Sequence, residues 1–188
     1  MSGWPTRPDR PQHPFILSSI GPTSLAGDAM RCIAKQATAS QAWPAENMAL
    51  YIPVSVQEAM SISKLAIWAT VAEGVEFDIG IYSYTSSGTS ATRLAHSGKT
   101  TVGAGTSRME AFEVGPVSLS PGIYFLAMVA KTTTGTFKST KELATGVLRA
   151  SGVQQQALGE PVLPETATLA NPASEVVPLI VASGRTTL

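Results

Sequence analysis

The chain has 188 residues, 13 Lys+Arg against 13 Asp+Glu, 14% charged residues and 44% hydrophobic ones. That length suits one domain with a real core, its apolar content excludes a disordered chain, and its shortage of Glu, Lys and Arg excludes a coiled coil. Zero net charge argues against a nucleic-acid partner, whose binding rests on neutralising phosphates.

Residues 1–28 read as a Pro-rich docking arm. Pro5, Pro8, Pro11 and Pro14 recur at three-residue spacing beside Trp4, with Pro22 beyond them. This spacing favours polyproline II, which makes no internal hydrogen bonds. A terminal arm is ordered only when docked, so Trp4, Pro5, Pro8, Pro11 and Pro14 are expected to lie on the chain's own domain or on a neighbouring subunit. The opening Met-Ser-Gly-Trp-Pro-Thr-Arg-Pro has no apolar signal-peptide region. The apolar stretch Val176 to Ala182 has seven residues and contains Pro178, well short of the roughly 20 a membrane span needs. A chain made in a cytoplasm, without a membrane partner, is expected.

The β-core is expected over residues 29–138. Ala29 to Ala42 fits either a short helix or a strand. Met48, Leu50, Ile52, Val54 and Val56 alternate as in a half-buried strand, and Pro53 assigns it to a sheet edge or a bulge. Ser61 to Val71 places Leu65, Ile67, Ala69 and Val71 opposite Lys64, Trp68 and Thr70. Val75, Phe77, Ile79 and Ile81 alternate with Glu76, Asp78, Gly80 and Tyr82. Thr92 to Lys99 and Met109 to Leu119 follow, and the Pro121-Gly122 turn launches Ile123 to Ala130, apolar on both faces and therefore central. Six strands with turn-forming residues between them predict an all-β, antiparallel sandwich or jelly roll. Its 16 Gly, 20 Ser and 20 Thr suit many turns, and its charge-poor surface favours association. Residues 139–188 are expected to hold a short helix over Thr140 to Ala150, a Pro-interrupted tail, and a closing edge strand over Val176 to Val181.

Few residues point to chemistry. Cys32 is alone, which forbids an internal disulfide, and reads as a buried thiol. With His13 and His96 it leaves too few ligands for a structural zinc site. Glu76 and Asp78, near Glu73, project from one strand face and resemble a carboxylate pair, but read as the solvated side of a half-buried strand. Thr101-Val-Gly-Ala-Gly-Thr-Ser-Arg lacks the ending of a phosphate loop and reads as a glycine turn. His96 reads as a surface histidine. Trp68, Tyr82 and Tyr84 are the rings placed to contact a glycan or a partner subunit. No catalytic residue, metal or cofactor is assigned, and an enzyme is not expected.

Seven segments carry a family resemblance over about residues 45–182. They are Tyr51-Ile-Pro-Val-Ser-Val, Ser63-Lys-Leu-Ala-Ile-Trp, Phe77-Asp-Ile-Gly-Ile-Tyr-Ser, Thr92-Arg-Leu-Ala-His-Ser-Gly-Lys-Thr, Leu119-Ser-Pro-Gly-Ile-Tyr-Phe-Leu-Ala-Met, and Leu163-Pro-Glu-Thr-Ala-Thr-Leu-Ala followed by Val177-Pro-Leu-Ile. Together they resemble the strands of structural virion proteins of tailed bacteriophages, of the tail, fibre or minor structural type. The resemblance implies a non-enzymatic decoration, connector or tail/fibre component, located in the virion after synthesis in the host bacterial cytoplasm. Its expected partners are further copies, a trimer above other states, and other virion proteins. The arm lies outside the matched stretch and is expected to place the protein in its particle. The alternative is a carbohydrate-binding adhesion module for host-surface glycans, built on Trp68, Tyr82 and Tyr84. A hydrolase using Glu76 and Asp78, or His96 with a serine, is a third reading.

Overall fold

Apolar alternation forms long antiparallel strands at each of the six places where the sequence predicts one. A computed structural model describes residues 16–18, 39–56, 59–71, 73–84, 88–103, 107–139, 148–149, 151–173 and 176–183. The six strands are β3 (Met48–Val56), β4 (Met60–Val71), β5 (Glu76–Ser83), β6 (Ser90–His96), β8 (Arg108–Leu119) and β9 (Gly122–Ala130). Seven shorter ones complete the set: β1 (Ile16–Ser18), β2 (Ala39–Ala42), β7 (Thr100–Thr101), β10 (Thr136–Ser139), β11 (Gln154–Ala157), β12 (Thr166–Thr168) and β13 (Ile180–Ser183). Within the undecided stretch 29–42, residues 39–42 are strand.

Two antiparallel sheets pack as a sandwich. In the six-stranded sheet β4 has β8 on one edge and β10 and β13 end to end on the other, with β2 beyond β10 and β1 beyond β13. The seven-stranded sheet runs β11-β3-β9-β5-β6-β12, with β7 following β6 along β5. Period-two alternation divides the apolar residues between two cores. Leu50, Ile52 and Val54 of β3, Phe77, Ile79 and Ile81 of β5, and Leu126 and Met128 of β9 meet Leu65, Ile67 and Ala69 of β4 in the first core. Burying one such Ile or Leu contributes about 1.5–3 kcal/mol. The intervening residues Ala49, Tyr51, Tyr82, Phe125, Ala127 and Val129 form a second core on the opposite face of the seven-stranded sheet. Strand β9 is therefore central and covered on both sides, as its composition predicts.

Leu163, Ala167 and Leu169 close that second core. They belong to a strap, residues 158–170, that crosses the sheet after β11. The sheet curls until its edges meet, and Gln155 and Ala170 exchange backbone hydrogen bonds of 2.9 and 3.0 Å. The Pro-interrupted tail is thus a structural wall of the second core.

Prolines and glycines mark the irregularities. Pro53 lies beyond Tyr51, the last β3 residue paired with β11, so it occupies an edge stretch as expected. Pro178 does not keep the closing strand at an edge. It precedes β13, which starts at Ile180 and lies between β4 and β1. Pro178 itself bridges Ser139, and the flanking Leu179 N–H donates to the Lys138 carbonyl at 2.8 Å, so the pairing does not need the missing N–H. In β8 the pairing to β4 shifts between Glu113 and Val117. Gly115 takes a φ of 78° in this bulge, a conformation glycine adopts without a Cβ penalty. Within the expected arm, Ile16–Ser18 pairs with Ser183–Val181 of the same chain. The helix expected over Thr140 to Ala150 lies outside the described residues except for Leu148 and Arg149.

Candidate functional site

The most elaborate polar arrangement grows from one face of β5. Asp78, Gly80 and Tyr82 alternate with the core residues Phe77, Ile79 and Ile81 and so point to the second core. Asp78 is fully buried, not solvated as the alternation suggested, because the strap lies over it. Its Oδ2 accepts the Leu163 backbone N–H at 2.9 Å and lies 2.8 Å from His96 Nδ1; its Oδ1 accepts the Ser97 hydroxyl at 3.1 Å. The buried carboxylate is satisfied from three sides, as burial of such a group demands.

Neighbouring residues hold the same strap. The Tyr82 hydroxyl donates to the Pro164 carbonyl at 2.5 Å, the Arg93 guanidinium donates to the Leu163 carbonyl, and the Arg93 N–H donates to the Glu165 carbonyl at 2.8 Å. A Cβ on Gly80 would stand 2.8 Å from the Ala95 carbonyl oxygen and 3.0 Å from Leu163 Cδ1. Glycine here permits the close approach of Leu163. A glycine inside a strand is the sequence sign of such an approach, and it was the one available clue to this cluster. Arg93, Ser97 and Leu163 gave no sequence signal, since their partners lie far along the chain or arise from a local bend.

As chemistry, this cluster is a clamp. A Ser–His–Asp triad needs the hydroxyl on the ring nitrogen opposite the carboxylate, whereas Ser97 donates to Asp78 itself. His96 is not a free surface histidine; its side chain is 29% exposed and held by Asp78. Burial pushes the phenols of Tyr51 and Tyr82 well above their ordinary range, and the negative charge of Asp78 adds to this. Both remain neutral hydrogen-bonding groups.

The two carboxylates predicted to share a face have separate partners. Glu76 lies 3.3 Å from Lys99 Nζ and 2.6 Å from Lys131 Nζ. These ammonium groups, Lys131 first, hold its carboxyl below the usual range. Glu76 and Lys131 border an open depression of about 450 Å³ whose lining also includes Glu73, Thr101, Thr132 and Thr134. Pairing largely neutralises its charges. Among the described residues no group of three or more His, Cys, Asp or Glu is placed to hold a metal ion.

The three predicted contact rings do not form one platform. Tyr82 is buried in the second core and packs in a T-shaped pair with Tyr51, ring centroids 5.2 Å apart, so it cannot present its ring to a ligand. Trp68 belongs to β4 in the other sheet, where it is half-buried and donates from Nε1 to the Ser107 hydroxyl at 3.3 Å. Tyr84 alone is exposed, at 45%. Trp4, Pro5, Pro8, Pro11 and Pro14, with Cys32 and His13, lie outside the described residues. No family model and no curated protein matches the chain. Among the described residues no helix is long and apolar enough to cross a membrane.

Proposed function

We propose that this chain is a non-enzymatic structural protein of a tailed phage or phage-like virion, a sandwich of jelly-roll type that assembles with its own copies, as a trimer, and with other virion proteins. It decorates, connects or extends the particle, and its N-terminal arm docks on a neighbour. The observation that carries this reading is the pairing of the two segments most characteristic of the resemblance. Phe77-Asp-Ile-Gly-Ile-Tyr-Ser is the body of β5 and Gly122-Ile-Tyr-Phe-Leu-Ala-Met most of β9. They are adjacent strands, registered from Phe77↔Ala130 to Ser83↔Tyr124, and their side chains populate both cores. The family-like residues therefore specify a scaffold, and the polar cluster beside them serves as a clamp. A scaffold with satisfied polar groups suits assembly better than turnover.

The test is to purify particles from the producing bacterium, identify the chain in them by mass spectrometry, and weigh the isolated protein by sedimentation equilibrium. The expected result is a stoichiometric particle component that is oligomeric in isolation. A stable monomer absent from particles overturns the proposal. Glycan-array binding by that monomer, lost in Tyr84→Ser, would support the adhesion alternative.

A further inference from the structure

We infer that the open end of the curled sheet is the acceptor for the Pro-rich arm of a neighbouring copy, an inference that rests on the oligomeric reading above and names the surface it uses. The strap covers the second core over Gly80 and Tyr82 but not beyond them. On the same face, at the ends of β5 and β9, Tyr84 is 45% and Ile123 53% exposed. The Tyr84 ring lies over Phe125 with centroids 5.3 Å apart and planes tilted by 36°. Ile123 pairs across the strands with Ser55, also exposed, and Pro53 lies half-buried two residues along β3. The second core thus continues outward as a strip of aromatic and aliphatic surface that is exposed among the described residues.

Three observations select the arm as its occupant. Prolines at positions 5, 8, 11 and 14 pre-set an extended segment that loses little entropy on docking, and such segments dock on aromatic-lined surfaces. Trp4 supplies a large anchor. Charge complements this: residues 1–15 hold Arg7 and Arg10 against Asp9, while Glu165 is exposed on the far side of β6 from β5, level with Tyr82. The described chain enters at Ile16–Ser18, which pairs with β13 and also lies near β3. Fifteen extended residues would cover roughly 45 Å, enough to reach a neighbouring copy, and the oligomeric reading makes that copy the donor.

The test uses full-length chains with Cys32→Ser, in which single cysteines report proximity. One population carries Thr6→Cys, another Ser55→Cys, and the two are mixed and oxidised. The expected product is a disulfide-linked pair of the two chains. Its yield should fall about tenfold when Tyr84→Ser and Ile123→Ser are added, and fall less with Arg7→Glu and Arg10→Glu. No pair, a pair indifferent to Tyr84 and Ile123, or a double-cysteine chain that links only to itself overturns the inference. The two proposals fail separately. A chain that cross-links as expected but is absent from particles removes the virion reading alone, whereas a particle protein without the cross-link removes the acceptor alone.

Discussion

The two faces of the seven-stranded sheet solve burial differently. Toward the first core, β3, β5 and β9 contribute aliphatic residues and Phe77, and this core is held by area and packing. Toward the second, the same strands contribute Tyr51, Tyr82 and Phe125, a buried Asp78 and a glycine, against a strap with little regular structure. From Glu165 onward the strap joins the ladder of β6 through β12. Residues 158–164 before it have no such ladder, so side chains replace it: Asp78, Tyr82 and Arg93 bind the backbone at Leu163 and Pro164. An apolar face fixes itself to any well-shaped partner, while a face made with a Pro-containing segment needs polar anchors to choose one path for it.

The comparison can be broken at its first member. Leu126→Ala empties the first core and is expected to cost about 2–5 kcal/mol. Urea unfolding should show one cooperative transition at lower midpoint, with exchange protection lost in both sheets together.

A smaller and more local effect is expected from the second. Asp78→Ala leaves the buried Leu163 N–H without its acceptor and releases His96 and Ser97, at about 2–3 kcal/mol. Hydrogen exchange should show residues 158–170 losing protection first while β4 and β8 keep theirs. Uniform loss throughout both sheets would show that the two cores are one cooperative unit.

Gly80→Ala sharpens the same point without touching a polar group. The added methyl meets Leu163 and the Ala95 carbonyl, an overpacking cost of about 1–3 kcal/mol. Leu163→Ala should recover part of it in the double variant. Additive losses would show that Leu163 is not what Gly80 accommodates.

The smallest expected change is that of Tyr82→Phe, about 1 kcal/mol at neutral pH for the bond to Pro164, and its pH dependence is diagnostic. Because the phenol pKa is raised in the folded state, the unfolded chain loses this proton first as pH rises past about 10. The contribution is fully present below that pH and is lost above it. Tyr82→Phe should flatten the alkaline fall in stability, and Tyr51→Phe should do the same because its phenol is raised for the same cause. An unchanged alkaline slope in both variants would place the ionising group elsewhere.

Much of the frame was legible because period two is a local signal. Met48–Val56, Met60–Val71 and Glu76–Ser83 alternate over enough residues to announce themselves, and the doubly apolar β9 announced its central place. Short strands such as Gln154–Ala157 have no alternation to read; they exist because β3 offers an edge. The candidate site was less legible. Alternation put Asp78 on the face opposite Phe77 but could not say that residues 158–170 cover that face, so a carboxylate expected in water proved to be a buried clamp. Tyr82 was misjudged for the same reason, whereas Tyr84, two residues on, is exposed.

Residue order alone was enough to specify a charge-poor, all-β chain, its central strands, and which residues of each share a face. Those properties follow from side-chain period and turn chemistry within a few residues. What lies against each face, how the sheet edges meet at Gln155 and Ala170, and which polar groups are buried emerge with the folded chain. Those depend on contacts between residues 15 to 85 positions apart. Such contacts form because the whole chain must satisfy its buried hydrogen-bonding groups at once, and no short window of sequence records that condition.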